Sequence, residues 1–184
     1  MKKVFLAMVC TLMSLSAAPR AFADASDPVL IGTYGGWKAY HFADKGGRVC
    51  FMNRQPEKQE GKFKKRGQVF FFVTHYPEEK DKNVISVSNG YAFKSKSQAT
   101  LTIKGKKFPL YTQGEMAWTK DPATDEAVMK EIEAGSSMTI KGASSRGTET
   151  TDTYSLKGSA EAYKAITKDC GAGKKSSASG KRKD

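Results

Sequence analysis

Two cysteines place the widest constraint on this chain. Cys50 and Cys170 lie 120 positions apart, so a bond between them would tie an early segment to the last residues able to pack in a core. The chain-entropy model assigns on the order of 4–5 kcal/mol to closing a loop of that length. A third cysteine, Cys10, falls within a leader-like segment, and removing it leaves an even count. No C-x-x-C spacing occurs, which argues against disulfide-exchange chemistry. Metal binding would need a third and a fourth ligand, and only His41 and His75 are on offer. A structural disulfide between Cys50 and Cys170 is therefore expected, in a compartment that permits oxidation.

Residues 1–23 read as a cleavable signal peptide. Met1-Lys2-Lys3 is a cationic start, Val4 to Ala18 carries no charge, and Ala21-Phe22-Ala23 is a small-x-small site that places cleavage between Ala23 and Asp24. The apolar run of 15 residues falls short of the roughly 20 that span a bilayer. Arg20 and the small-residue site disfavour an uncleaved anchor. Ala7-Met8-Val9 is a poor lipobox, which disfavours lipidation at Cys10. No other stretch is long and apolar enough to span, so the mature chain is expected to have no transmembrane segment. The expected location is periplasmic or secreted, in a Gram-negative bacterium.

The remaining chain divides into one β-rich domain over 24–170 and a basic tail over 171–184. The leader takes three of the 31 cations and none of the 19 acids, leaving a mature net charge of +9 (28 against 19). The last 14 residues hold five cations and one acid and lack an apolar anchor, a composition that predicts disorder. A second dense cluster is Lys62-Phe63-Lys64-Lys65-Arg66. Basic charge favours encounter with polyanions, which for an exported protein are lipopolysaccharide phosphates, anionic lipid heads or sulfated glycans. A lysine-rich solvated surface is the plainer reading. Nucleic acid is disfavoured because no nucleic-acid motif accompanies the charge.

Short β-like runs recur between Gly, Asn, Pro and charge clusters. Val29–Tyr34 and Trp37–Phe42 flank Gly35-Gly36, and Phe70-Phe71-Phe72-Val73 reads as a central strand buried on both faces. Asn89-Gly90 predicts a hairpin turn between Val84–Ser88 and Tyr91–Phe93. Ala99, Leu101 and Ile103 alternate with polar residues, as do Met138/Ile140 and Tyr154/Leu156. Nine or ten strands result, with Arg54 to Arg66 as a polar loop. One helix begins at Asp121-Pro122, an N-cap residue followed by proline, and stops at Gly135. A second starts near Ser159 and runs toward Cys170. The expected fold is mainly β: an antiparallel sandwich or barrel-like domain with one inserted helix and a C-terminal helix.

Catalytic chemistry finds no foothold. There is no G-x-S-x-G elbow, phosphate-binding loop or dinucleotide fingerprint. His41 and His75 read as ordinary strand residues, and a Cys–His pair would need a thiol that the disulfide removes. Glu149 and Asp152 are the nearest approach to a carboxylate cluster, without evidence of a working pair. No catalytic residue, metal or cofactor is therefore assigned. The most unusual stretch is Lys141–Gly158, rich in hydroxyls and broken by Arg146-Gly147. It predicts a hairpin turning at Ser145-Arg146-Gly147. Ser145, Arg146, Gly147 and Thr148, with Lys64, Lys65 and Arg66, are the candidate partner-binding residues.

Several segments together resemble a known family. They are Gly36-Trp37-Lys38-Ala39-Tyr40, Arg48-Val49-Cys50-Phe51, Asn89-Gly90-Tyr91-Ala92-Phe93 and Ala117-Trp118. The most specific is Gly142-Ala143-Ser144-Ser145-Arg146-Gly147-Thr148, continuing through Asp152-Thr153-Tyr154-Ser155-Leu156-Lys157-Gly158. Over about 29–170 the chain resembles the invasion-associated locus B family of exported proteobacterial proteins. Gly36 stands where the usual pattern has Asp, and only two cysteines remain, as in a divergent branch. The resemblance implies an exported, non-enzymatic β-rich protein that acts at the envelope or a host surface. The alternatives are a purely structural or stress-related periplasmic protein and, less favoured, an unrecognised hydrolase.

Overall fold

In a computed structural model, residues 26–171 are described. They form β1 (Val29–Tyr34), β2 (Trp37–Asp44), β3 (Gly47–Arg54), β4 (Lys58–Gly61), β5 (Phe70–Tyr76) and β6 (Asp81–Ser88). Then come β7 (Gln98–Ile103), β8 (Lys106–Gln113), β9 (Met116–Trp118), α1 (Pro122–Ala134), β10 (Ser137–Ala143), β11 (Glu149–Ser155) and α2 (Ser159–Asp169). All eleven strands belong to one antiparallel sheet in the order β1-β2-β3-β5-β6-β9-β8-β7-β10-β11-β4. The mainly β architecture with an inserted and a C-terminal helix agrees with the sequence reading. The expected signal peptide, with its Ala23/Asp24 cleavage site, and the tail from residue 172 onward lie outside the described residues.

The sheet curls so that one face encloses the core. Phe71 on β5 meets Tyr154 on β11 with ring centroids 6.1 Å apart, although five strands lie between them in sheet order. Trp37 on β2 closes the same gap by donating from Nε1 to the Ser155 carbonyl at 3.1 Å. The alternation read from sequence fills this face: Ala99, Leu101, Ile103, Ile140 and Tyr154 are fully buried. Both helices pack on it, α1 through Val128, Met129 and Ile132, and α2 through Ala162 and Ile166.

The ends of α1 follow local chemistry at one side and packing at the other. Asp121 accepts the Thr124 N–H at 2.7 Å as the N-cap, satisfying one of the free amides of the first turn. Gly135 does end the helix, but with φ −98° and ψ 168° it is extended, not left-handed. Space selects glycine here: a Cβ would stand 2.9 Å from the Glu131 carbonyl oxygen and 2.9 Å from Leu156 Cδ1.

Three local expectations need correction. Asn89-Gly90 is not a hairpin turn, since β6 pairs with β5 and β9. The Asn89 N–H instead donates to the Glu115 carbonyl at 3.0 Å, and the Gly90 carbonyl accepts from the Gly67 N–H at 2.8 Å. Tyr91–Phe93 forms no strand, and its β pairing is one isolated bridge from Phe93 to Ser144. The polar loop over 54–66 contains β4, an exposed edge strand that pairs with β11. Finally, β5 is fully buried only on its inner side, and Phe70 and Phe72 face outward half-buried.

Cys50 and Cys170 are joined, with Cα atoms 5.8 Å apart, within the range a disulfide spans. The bond fixes the C-terminus of α2 to β3. Both histidines serve the same joint. His41 Nδ1 lies 2.8 Å from Asp169 Oδ2, which Arg48 also approaches at 3.1 Å. His75 Nε2 lies 3.1 Å from Thr167 Oγ1. His41 and His75 are the cross-strand neighbours of Cys50 on its two sides, so all three side chains meet the C-terminal end of α2.

Candidate functional site

The two candidate segments, about 80 positions apart in sequence, converge on one cleft. One wall is the chain from Lys62 to Arg66 after β4. The other is the turn joining β10 to β11, with Ser144, Ser145, Arg146 and Thr148. Tyr91, Ala92 and Thr150 complete a volume of about 510 Å³. Pairing of β4 with β11 brings the first wall to the second, because Gly61 lies opposite Thr150 in the register.

The Ser144–Thr148 turn is built by its own short side chains. The Ser144 N–H donates to the Thr148 carbonyl at 2.9 Å, and the Thr148 N–H donates to Ser144 Oγ at 3.1 Å. Gly147 adopts φ 82°, a left-handed conformation that glycine enters without steric cost. The Ser145 N–H donates to the Ala92 carbonyl at 2.7 Å, which joins the turn to the Tyr91–Phe93 segment. Ser145, Arg146 and Gly147 are consequently exposed, and Thr148 is half-buried.

Charge at the cleft falls into two kinds. Lys62, Lys64, Lys65 and Arg146 are exposed, and among the described residues none of them takes part in an ion pair. Arg66 is different, with a side chain only 3% exposed. Its Nη1 and Nη2 donate to the two oxygens of buried Asp152 at 2.6 and 2.7 Å, and its Nε donates to the Asn89 carbonyl at 2.7 Å. The guanidinium also lies 4.9 Å from the centre of the Tyr91 ring and 5.6 Å from that of Phe63. Arg66 therefore spends its charge holding the Lys62–Arg66 wall against β11.

Burial raises the Tyr91 phenol above its ordinary pKa, opposed by its hydrogen bond to Thr150 and by the charge of Arg66. It stays a neutral hydroxyl, 2.7 Å from Thr150 Oγ1. Glu149 and Asp152 do not form a carboxylate pair. Asp152 points inward to Arg66 and Glu149 is exposed, as strand alternation requires. Among the described residues no group of His, Cys, Asp and Glu could hold a metal ion, and no helix is long and apolar enough to cross a membrane.

Sequence reasoning named Lys64, Lys65, Arg66 and Ser145–Thr148 but did not join them. It passed over Lys62, Phe63, Tyr91, Ser144 and Thr150 as part of the same cleft. The signal for joining them was the pairing of β4 with β11, which has no apolar periodicity to betray it.

The model of the Invasion associated locus B (IalB) protein family matches residues 37–167. No curated protein and no solved structure matches the chain. The match begins at Trp37, spans the cleft and its Arg66–Asp152 anchor, and ends at Thr167 beside the disulfide; the chain belongs to the invasion associated locus B family.

Proposed function

We propose that this protein is a non-enzymatic, exported binding domain, periplasmic or secreted, that attaches to an anionic component of the envelope or of a host surface. The ligand chemistry is that of phosphate or sulfate on a saccharide, as in lipopolysaccharide or a sulfated glycan. One observation carries the reading: four exposed cations without ion-pair partners among the described residues line a cleft otherwise furnished with hydroxyls. Paired cations would have to give up a carboxylate to take a phosphate or sulfate, whereas these offer their charge directly. The disulfide agrees with an oxidising compartment, and the family name agrees with action at a surface. No nucleic acid is assigned as a partner.

Retention of purified protein on immobilised heparin and on lipopolysaccharide, followed across a salt gradient, tests the reading. Lys64→Glu, Lys65→Glu and Arg146→Glu should each shift elution to lower salt, and the triple variant should lose most retention. Elution unchanged in the triple variant would refute the cleft as the anion site.

A further inference from the structure

The outer face of the sheet divides into two halves of different chemistry. On β7, β10 and β11 the outward positions are dominated by threonine: Thr100, Thr102, Thr139, Thr151 and Thr153. From β2 to β8 the outward face carries aromatic rings on every strand except β6. Tyr40 and Phe42 on β2 meet Phe51 on β3, at centroid distances of 5.1 and 6.0 Å. Phe51 meets Phe72 at 6.1 Å, and Phe72 meets Phe70 at 5.7 Å. Beyond the serines of β6, Trp118 on β9 stacks on Tyr111 of β8 at 5.3 Å and 22°. Six of these rings are half-buried, and Tyr111 is 48% exposed.

This half of the face is also free of charge at its centre. No outward position of β3, β5 or β9 bears a charged side chain, nor do Val84, Ser86 or Ser88 of β6, although 27% of the chain is charged. Charges lie at the margins: Lys38 and Arg54 at one, and Asp81, Lys82, Lys120 and Asp121 at the other. Polar groups that can both donate and accept stand between the rings: Asn53, Ser86, Ser88 and Gln113. Two shallow hollows mark the ends. One, of about 230 Å³, lies among Tyr40, Asn53, Gln55 and Phe70. The other, of about 180 Å³, lies among Val84, Tyr111 and Trp118, with Asp81, Lys82, Lys120 and Asp121 along its charged edge. From β2 to β8 there are five strand-to-strand steps, roughly 24 Å at the usual sheet spacing.

We infer that this face is a binding platform for an uncharged glycan chain, distinct from the anion cleft, with which it shares no residue. A sugar ring offers C–H faces to aromatic rings and hydroxyl edges to amides and hydroxyls, and this face sets both kinds of partner side by side. The uncharged centre of this face, with charges confined to its margins, matches a neutral ligand and leaves anions to the cleft. The rings lie packed against one another along the sheet, where a membrane anchor would project apolar side chains into the bilayer. The interleaved polar groups are equally unlike the dry centre of a protein interface.

The two tryptophans make the site readable. Trp37 is fully buried in the core, and Trp118 is half-buried on the platform. Titration of purified protein with cellohexaose and with N-acetylated chitohexaose should give a saturable change in tryptophan emission, absent in Trp118→Phe. Tyr111→Ala, at an exposed position, should weaken retention on cellulose or chitin at least tenfold, and Phe72→Ser should do the same. Urea unfolding checks that each variant is folded, and heparin retention should be unchanged in both. No saturable change and no retention on either polysaccharide would overturn the inference. A concentration-dependent dimer abolished by Tyr111→Ala, without glycan retention, would also overturn it, as would binding to neutral phospholipid vesicles alone.

Discussion

The imidazole of His75 is 1% exposed and held at both nitrogens. Nδ1 accepts the Asn83 backbone N–H at 3.2 Å, which assigns the ring proton to Nε2, 3.1 Å from Thr167 Oγ1 on α2. Tyr163 packs edge-on against the ring, with centroids 5.6 Å apart. A second proton could only go to Nδ1, where it would abolish the bond from Asn83 and place a charge in a dry site. Desolvation, followed by the nearby charge of Lys82, lowers the pKa to about 4 from an ordinary 6.5, against a smaller opposing effect of the Thr74 backbone. The folded value lies below the unfolded one, so the unfolded chain takes up the proton first as pH falls. The stability tied to neutral His75 is full above about pH 6.5 and is lost progressively toward pH 4. A shift of about 2.5 units at 1.36 kcal/mol each amounts to about 3 kcal/mol. Urea unfolding of the wild type and of His75→Gln between pH 4 and pH 7.5 isolates this contribution, because every other titrating group is common to both. The wild type should lose about 3 kcal/mol more than the variant over that range. Curves that stay parallel within about 0.5 kcal/mol would refute the reasoning.

Two further outcomes follow from the same joint and from the cleft. Replacing both Cys50 and Cys170 by Ser should lower unfolding free energy by about 4–5 kcal/mol on the chain-entropy account, measured by urea unfolding at pH 7. A loss indistinguishable from zero would show that β3 and α2 are held together without the bond. Arg66→Ala should cost about 3–5 kcal/mol, because it leaves Asp152 charged, buried and unpaired. The double change Arg66→Met with Asp152→Leu should recover most of that loss, and failure to recover would mean that the pair contributes more than mutual neutralisation.

Legibility differed sharply between kinds of residue. Strands with one apolar face, such as β7 with Ala99, Leu101 and Ile103, were readable because burial on one side imposes period-two alternation. The helices were readable from Asp121-Pro122 and from the spacing of Ala162 and Ile166. Asn89-Gly90 misled because a turn dipeptide states a local preference. Here the Glu115 and Gly67 backbones satisfy the same groups from distant parts of the chain. Gly135 was right for a different reason, the approach of Leu156 and Ile103. For β4 there was nothing to read: Lys58–Gly61 is exposed along its length, and an edge strand without a buried face carries no hydrophobic pattern.

By itself, the sequence determined the mainly β class, the two helices, the Cys50–Cys170 pairing and the residues worth suspecting at a binding site. Each of these depends on local pattern or on counting. Only the tertiary structure decided which of the suspected cations are available. Lys64, Lys65 and Arg146 are exposed and, among the described residues, form no ion pair, whereas Arg66, adjacent in sequence to Lys65, is buried against Asp152 86 positions away. It alone also gathered seven aromatic residues from strands across the sheet into one outer face. Register between strands sets both results. Register is a property of paired backbones, and no window of sequence contains both partners.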